Sequence, residues 1–329
     1  MINCRNYTVF IFTLFMFSSF SPSVFSQGRD TVRVQDGNVK ESLKIENKKN
    51  PSINIRDGWH ENIIIVDGVD NKSHLNPLRF GALSAITIGA VVGLHTLQQH
   101  AWWNGQRGQF HIQNDWAYAM SMDKIGHFME GGLIEKTMKG AFIWSGMSER
   151  SAMWFGALFS IGYMTDIEIE DGFATKWGYS PGDEIANLSG DIFAITQDLW
   201  KPLRTVNIKW SYVPTNDPLH KGDFPDDYNG QVFWLSFTVH DYFGDNLKKY
   251  WPDFMNLAVG YGVKEYENYG PGGRIQNLYF GFDFNLEKLI PGDTKFIRFV
   301  KGFLNTFKII PTPALKWNTT SGKVNFVVH

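Results

Sequence analysis

The period of the hydrophobic pattern changes near residue 207, and this limits the fold more than any other feature of the chain. Between about Pro77 and Trp200 the apolar residues come in long runs and helical stripes. From Asn207 onward they come in short β-branched and aromatic runs separated by clusters of Asn, Asp, Gly and Pro. Neither pattern can bury its apolar side in the other conformation. The chain is therefore expected to be α+β, a bundle of about four apolar helices followed by a β-rich C-terminal half.

The spacing predicts helices over Phe80–Leu97, about Tyr118–Phe142, Ser148 to about Thr165, and Pro181–Leu199. Ser148 followed by Glu149 and Arg150 reads as a capped start. Ser180 before Pro181, with Asp183 and Glu184 in the same turn, is a stronger one. Phe80–Leu97 carries no charge, approaches the length of a bilayer span, and contains Gly81, Gly89 and Gly93, which permit close helix approach. A membrane helix and a buried core helix both satisfy that pattern. Strands are expected over Asn207–Val213, Gln231–His240, Asn256–Lys264 and Gln276–Asn285. Four or five such segments fall short of the usual eight of a spanning barrel, so a sheet packed on the helices or on a membrane face is expected.

Residues 1–26 read as a signal peptide: Arg5, the apolar run Tyr7–Phe20, then Val24-Phe25-Ser26 with cleavage after Ser26. The single cysteine, Cys4, lies ahead of that run, so the cleaved chain would have no lipidated cysteine, disulfide or thiol chemistry. Residues 27–76 form a polar, partly disordered lead-in with a short strand at Ile63–Val66, residues 77–202 the helical domain, and residues 203–329 the β-rich region. Lys plus Arg number 31 against 33 Asp plus Glu, a net charge of −2 that argues against a nucleic-acid partner. A mean hydropathy of −0.23 is too polar for a transporter made wholly of spanning helices. The 27 Phe, 12 Trp and 12 Tyr suit a chain that meets a membrane interface or packs aromatic strands. The expected location is exported, in the periplasm or an envelope membrane, the outer membrane included. The expected partner is a membrane or envelope component, and no protein partner is specified.

Three polar patches interrupt the helices. Asp123 and His127 lie four residues apart on one helical face, Glu168 and Asp171 fall in a run of acids after an apolar helix, and Asp183, Asn187 and Asp191 share a stripe. If antiparallel packing brings the patches to one end of a bundle, His127 is a candidate general base or metal ligand. Asp123, Glu168 and Asp183 are then orienting or ligating carboxylates, and Asp171 and Asn187 complete a polar cluster. Helix capping and solvated acidic turns explain the same residues without chemistry. No cofactor and no particular metal follows from the spacing. Gly172 and Gly190 read as backbone requirements, a turn and a close helix contact.

The order Asp123-Lys124, His127-Phe128, Ser148 with Arg150-Ser151, Gly156, Glu168, Asp171-Gly172-Phe173, Gly178-Tyr179-Ser180, Asp183 and Gly190 resembles the YfiM-like predicted periplasmic lipoproteins, a domain of unknown function. It is more distantly similar to the VanZ-like membrane proteins. The resemblance covers roughly residues 115 to 200, and the longer form with a β-rich tail looks like the version found in the Bacteroidetes. It implies an envelope location and supplies no reaction. It also implies that Asp123, His127, Glu168, Asp171, Asp183 and Asn187 form one polar cluster, in a structural or binding protein or in an enzyme acting on a lipid or cell-wall component. This chain departs from the family in lacking a cysteine at the end of the signal.

Overall fold

A computed structural model describes residues 73–215, 227–242, 245–266, 273–292 and 295–329. The expected signal peptide, most of the polar lead-in and the strand at Ile63–Val66 lie outside the described residues. The chain is α+β as expected: helices α1 (Pro77–Gln98), α2 (Met122–Trp144), α3 (Glu149–Gly172) and α4 (Pro181–Leu199) precede a six-stranded antiparallel sheet. The strands are β1 (Val206–Tyr212), β2 (Gln231–Phe237), β3 (Met255–Lys264), β4 (Ile275–Phe284), β5 (Pro313–Asn318) and β6 (Val324–Val328), paired in sequence order. Helix α5 (Lys295–Thr306) lies between β4 and β5.

The helix starts follow local chemistry. Asn76 accepts from the Arg79 N–H ahead of Pro77, Ser148 from that of Ser151, and Ser180 from that of Asp183 ahead of Pro181. Helix α3 overruns its expected end near Thr165 and reaches Gly172. Its last-turn acids have partners: Asp166 lies 3.4 Å from His95, Glu170 binds Arg107, and Asp171 accepts from the Trp103 indole at 2.5 Å. Helix α2 starts later than expected, at Met122. Before it Ala119, Met120 and Ser121 hold φ of 45°, 57° and 67°, a left-handed stretch that costs about 1–2 kcal/mol per non-glycine residue. The β half supplies compensation, since Tyr261 Oη on β3 donates to the Met120 carbonyl at 2.7 Å and Ala119 and Met122 pack with Trp210, Tyr228 and Phe233.

Helices α2, α3 and α4 run up, down and up, so the start of α2, the end of α3 and the start of α4 meet at one end of the bundle. Glycines set how closely they pack. A Cβ on Gly190 would lie 2.0 Å from the Phe128 carbonyl oxygen, and one on Gly131 would lie 2.5 Å from that of Asn187.

The two faces of the sheet differ. Its register places Ile208, Phe233, Leu235, Leu257, Val259, Phe280, Phe282, Leu315, Trp317 and Phe326 on one face. Much of that face is exposed, with Phe326 71% accessible and Leu315 50%, although Phe233 is buried against the bundle. The other face buries a mixed layer: Val232, Trp234, Ala258, Tyr279 and Ala314 form an apolar cluster beside Lys209, Ser236, Asn256, Asn277 and Asp283. The Lys209 ammonium on β1 reaches Asp283 on β4 at 2.7 Å. Those strands are three spacings apart, about 14 Å on a flat sheet and longer than the two side chains span. The sheet therefore curls around this mixed inner layer and leaves much of the apolar face outside.

Gly190→Ala is expected to destabilise the bundle by about 1–3 kcal/mol through overpacking, read as a lowered thermal midpoint. Gly162→Ala, at a helical position where a Cβ meets nothing within 4 Å, is expected to raise it.

Candidate functional site

The converging helix ends build a charged cluster around one lysine. The Lys124 ammonium lies 2.6 Å from Asp183 Oδ1, 2.8 Å from Asp123 Oδ2 and 2.9 Å from Asp115 Oδ1. Its side chain is 6% accessible, so an almost dry cation faces three carboxylates. Asp115 reaches it because the connector after α1 is laced to the loop before α4. Gln113 N–H donates to the Tyr179 carbonyl at 2.9 Å, Tyr179 N–H returns to His111 at 3.0 Å, and Ser180 Oγ donates to Asp115.

His127 forms the second layer, one turn along α2. Its Nε2 lies 3.7 Å from Asp183 Oδ1 and 3.8 Å from Asp123 Oδ1. Its Nδ1 is 3.0 Å from Asn187 Oδ1 and 3.7 Å from Glu168 Oε1. Asp123 Oδ1 also accepts from the Tyr228 hydroxyl at 2.7 Å, which ties the cluster to the β half. Glu168 Oε2 accepts from the Ser180 N–H at 3.3 Å.

Burial opposes a charge on His127, but the charges of Asp123 first and Asp183 next outweigh it and raise its pKa to about 9, so it is an imidazolium at neutral pH. Both ring nitrogens are then donors, which fits Nδ1 donating to Asn187 Oδ1. Burial raises Glu168 to about 8 against the pull of His127, leaving it protonated. Burial raises Asp183 as well. In Asp123 the charges of His127 and Lys124 overcome burial and keep the carboxylate ionised.

Of the six residues singled out in the sequence, Asp123, His127, Glu168, Asp183 and Asn187 come together. Asp171 stands one turn beyond Glu168 and spends an oxygen on Trp103. Lys124, Asp115 and Tyr228 complete the cluster; Asp115 arrives from a connector and Tyr228 from the short turn ahead of β2, with no periodic spacing in the sequence to reveal either. Asp123, His127 and Asp183 each offer a ligand atom, all within 4.8 Å of one another, a donor set a divalent cation could use. The Lys124 ammonium is already paired with both of those carboxylates, which makes the arrangement an internal ion cluster.

Residues 111–198 match the model of a family described as predicted periplasmic lipoprotein (DUF2279), a domain of unknown function. The match spans the cluster except Tyr228 and agrees with an exported protein of the periplasm or envelope membrane. No curated protein matches the chain, and no solved structure does.

A raised histidine pKa means that the folded state holds the proton more tightly. This contribution to stability is full below pH 6.5 and is lost as pH rises through about 9. Glu168, neutral when folded, costs stability over an overlapping window up to about pH 8. Thermal unfolding should therefore show a decline in stability from pH 6.5 to 9. His127→Gln should lose about 1–3 kcal/mol at the lower pH, with the deficit shrinking toward the upper. A deficit equal at both pH values would remove the charge on His127 as its source.

Proposed function

We propose that this chain is a membrane-associated envelope protein of structural or binding type, in which the charged cluster holds the helices in register and the β half faces the bilayer. The exposed apolar face of the sheet carries this reading. A large contiguous apolar surface of this kind marks a protein, ligand or membrane contact rather than a water-facing wall. Helix α1 adds to it. With the turn that follows, it forms a segment of 27 residues long and apolar enough to cross a membrane, and only 11% of its apolar window is buried. Leu78, Ile88 and Val92 on it are exposed, as are Trp154, Phe155 and Leu158 on α3. The YfiM-like and more distant VanZ-like resemblances also point to the envelope.

A second reading draws on the close approach of Asp123, His127 and Asp183: an envelope enzyme acting on a lipid or cell-wall component, with His127 and these carboxylates at the reaction. In that case His127→Gln would abolish turnover or metal uptake while leaving the melting temperature unchanged. The structural reading expects the reverse.

The membrane claim is tested by flotation of the purified full chain with phosphatidylethanolamine and phosphatidylglycerol vesicles on a density gradient. The chain should float and stay bound in high salt, and the double substitution Phe280→Asp, Phe282→Asp should weaken its retention. Recovery of the unaltered chain at the bottom of the gradient would overturn the proposal.

A further inference from the structure

A groove runs between the bundle and the outer face of the sheet, with a volume of about 560 Å³. One wall is Ile125 and Phe128 of α2 with Ile185 and Ala186 of α4. The other includes Leu235 and Val259. This volume lies within the range of small-molecule sites. We propose that it holds one acyl chain of a glycerophospholipid. The inference rests on the membrane-associated reading and goes beyond it, because a surface that touches a bilayer need not retain a lipid.

Three observations point to this occupant. The walls are apolar along their length, and the hydroxyls among them are spent internally: Ser121 Oγ donates to the Trp116 carbonyl at 2.9 Å and Ser189 Oγ to that of Ile185 at 2.7 Å. Charge enters at one end only, through Lys124, whose stem approaches Trp116 beside Gly182; a Cβ on Gly182 would lie 3.0 Å from Lys124 Cε and 3.2 Å from the Trp116 ring. The groove is also continuous with the exposed apolar surface, since Ile185 is 52% accessible and Leu235 and Val259 are 38% each. A chain can therefore enter sideways from hydrocarbon without crossing water.

Charge also separates a phospholipid from a free fatty acid. Lys124 is the charged residue among the groove's lining, and its ammonium already faces Asp115, Asp123 and Asp183. A fatty-acid carboxylate inside the groove would find no free cation among these lining residues, whereas a phospholipid keeps its charged head group outside and offers the groove hydrocarbon alone.

The test is native mass spectrometry of the full chain, purified in detergent and incubated with dioleoyl phosphatidylethanolamine. One bound phospholipid per chain is expected. Ala186→Trp, which fills the groove, should cut occupancy at least tenfold, and Val259→Phe, which narrows it from the sheet side, should do so if the first variant folds poorly. Leu158→Trp, on the outer surface of α3, should retain the lipid. The groove variants should still float with vesicles, which separates failure of this inference from failure of the membrane reading. No phospholipid on the unaltered chain, full occupancy in both groove variants, retention of fatty acid alone, or a dimer mass in place of the lipid adduct would each overturn it.

Discussion

A single ammonium, that of Lys124, stands among three carboxylates drawn from a connector and two helices, and the placement of the rest follows from that contact. Asp115 fixes the segment after α1, Asp123 the start of α2, and Asp183 the start of α4. Burying one ion costs several kcal/mol, repaid only when its partners are close and are themselves hydrogen-bonded. Two of the three carboxylates are so bonded: Asp115 takes the Ser180 hydroxyl and Asp123 the Tyr228 hydroxyl, and His127 adds a second positive charge one turn away. These contacts favour one relative placement of the helices, which apolar packing alone would specify less sharply.

The same end of the bundle meets the sheet. The left-handed stretch Ala119 to Ser121 turns the chain into α2 just ahead of Asp123 and Lys124, and it is held by the Tyr261 hydroxyl and by packing against Trp210 and Phe233. Strain in the turn is thus offset by the β half, and Tyr228 makes the connection a second time. Helical cluster and sheet are consequently coupled parts of one structure, and the groove between them is bounded by both.

Much of this was legible in the sequence because the signals were local. The change of period gave the two textures, Ser148 and Ser180-Pro181 gave two helix starts, and the four-residue spacing of Asp123 with His127 and of Asp183 with Asn187 put these residues on common faces. Non-local partners were harder to see. Helix α3 runs through Glu168 to Asp171 because Arg107, Trp103 and the Ser180 N–H come from distant segments to meet its acids. Strands β5 and β6 were missed because each is short, and β5 begins at Pro313, a residue that weakens a strand signal. The buried charges on the inner face of the sheet carry no local signal either, because Lys209 meets Asp283 only across two intervening strands.

The claim that the lysine-centred cluster holds the fold together is tested most directly by the thermal unfolding of Lys124→Met, a substitution that keeps most of the side-chain volume and removes the charge. The account predicts a loss of about 3–5 kcal/mol at neutral pH, because three carboxylates are left without their central cation, and partial recovery as acid neutralises them. An unchanged unfolding midpoint at neutral pH would contradict it.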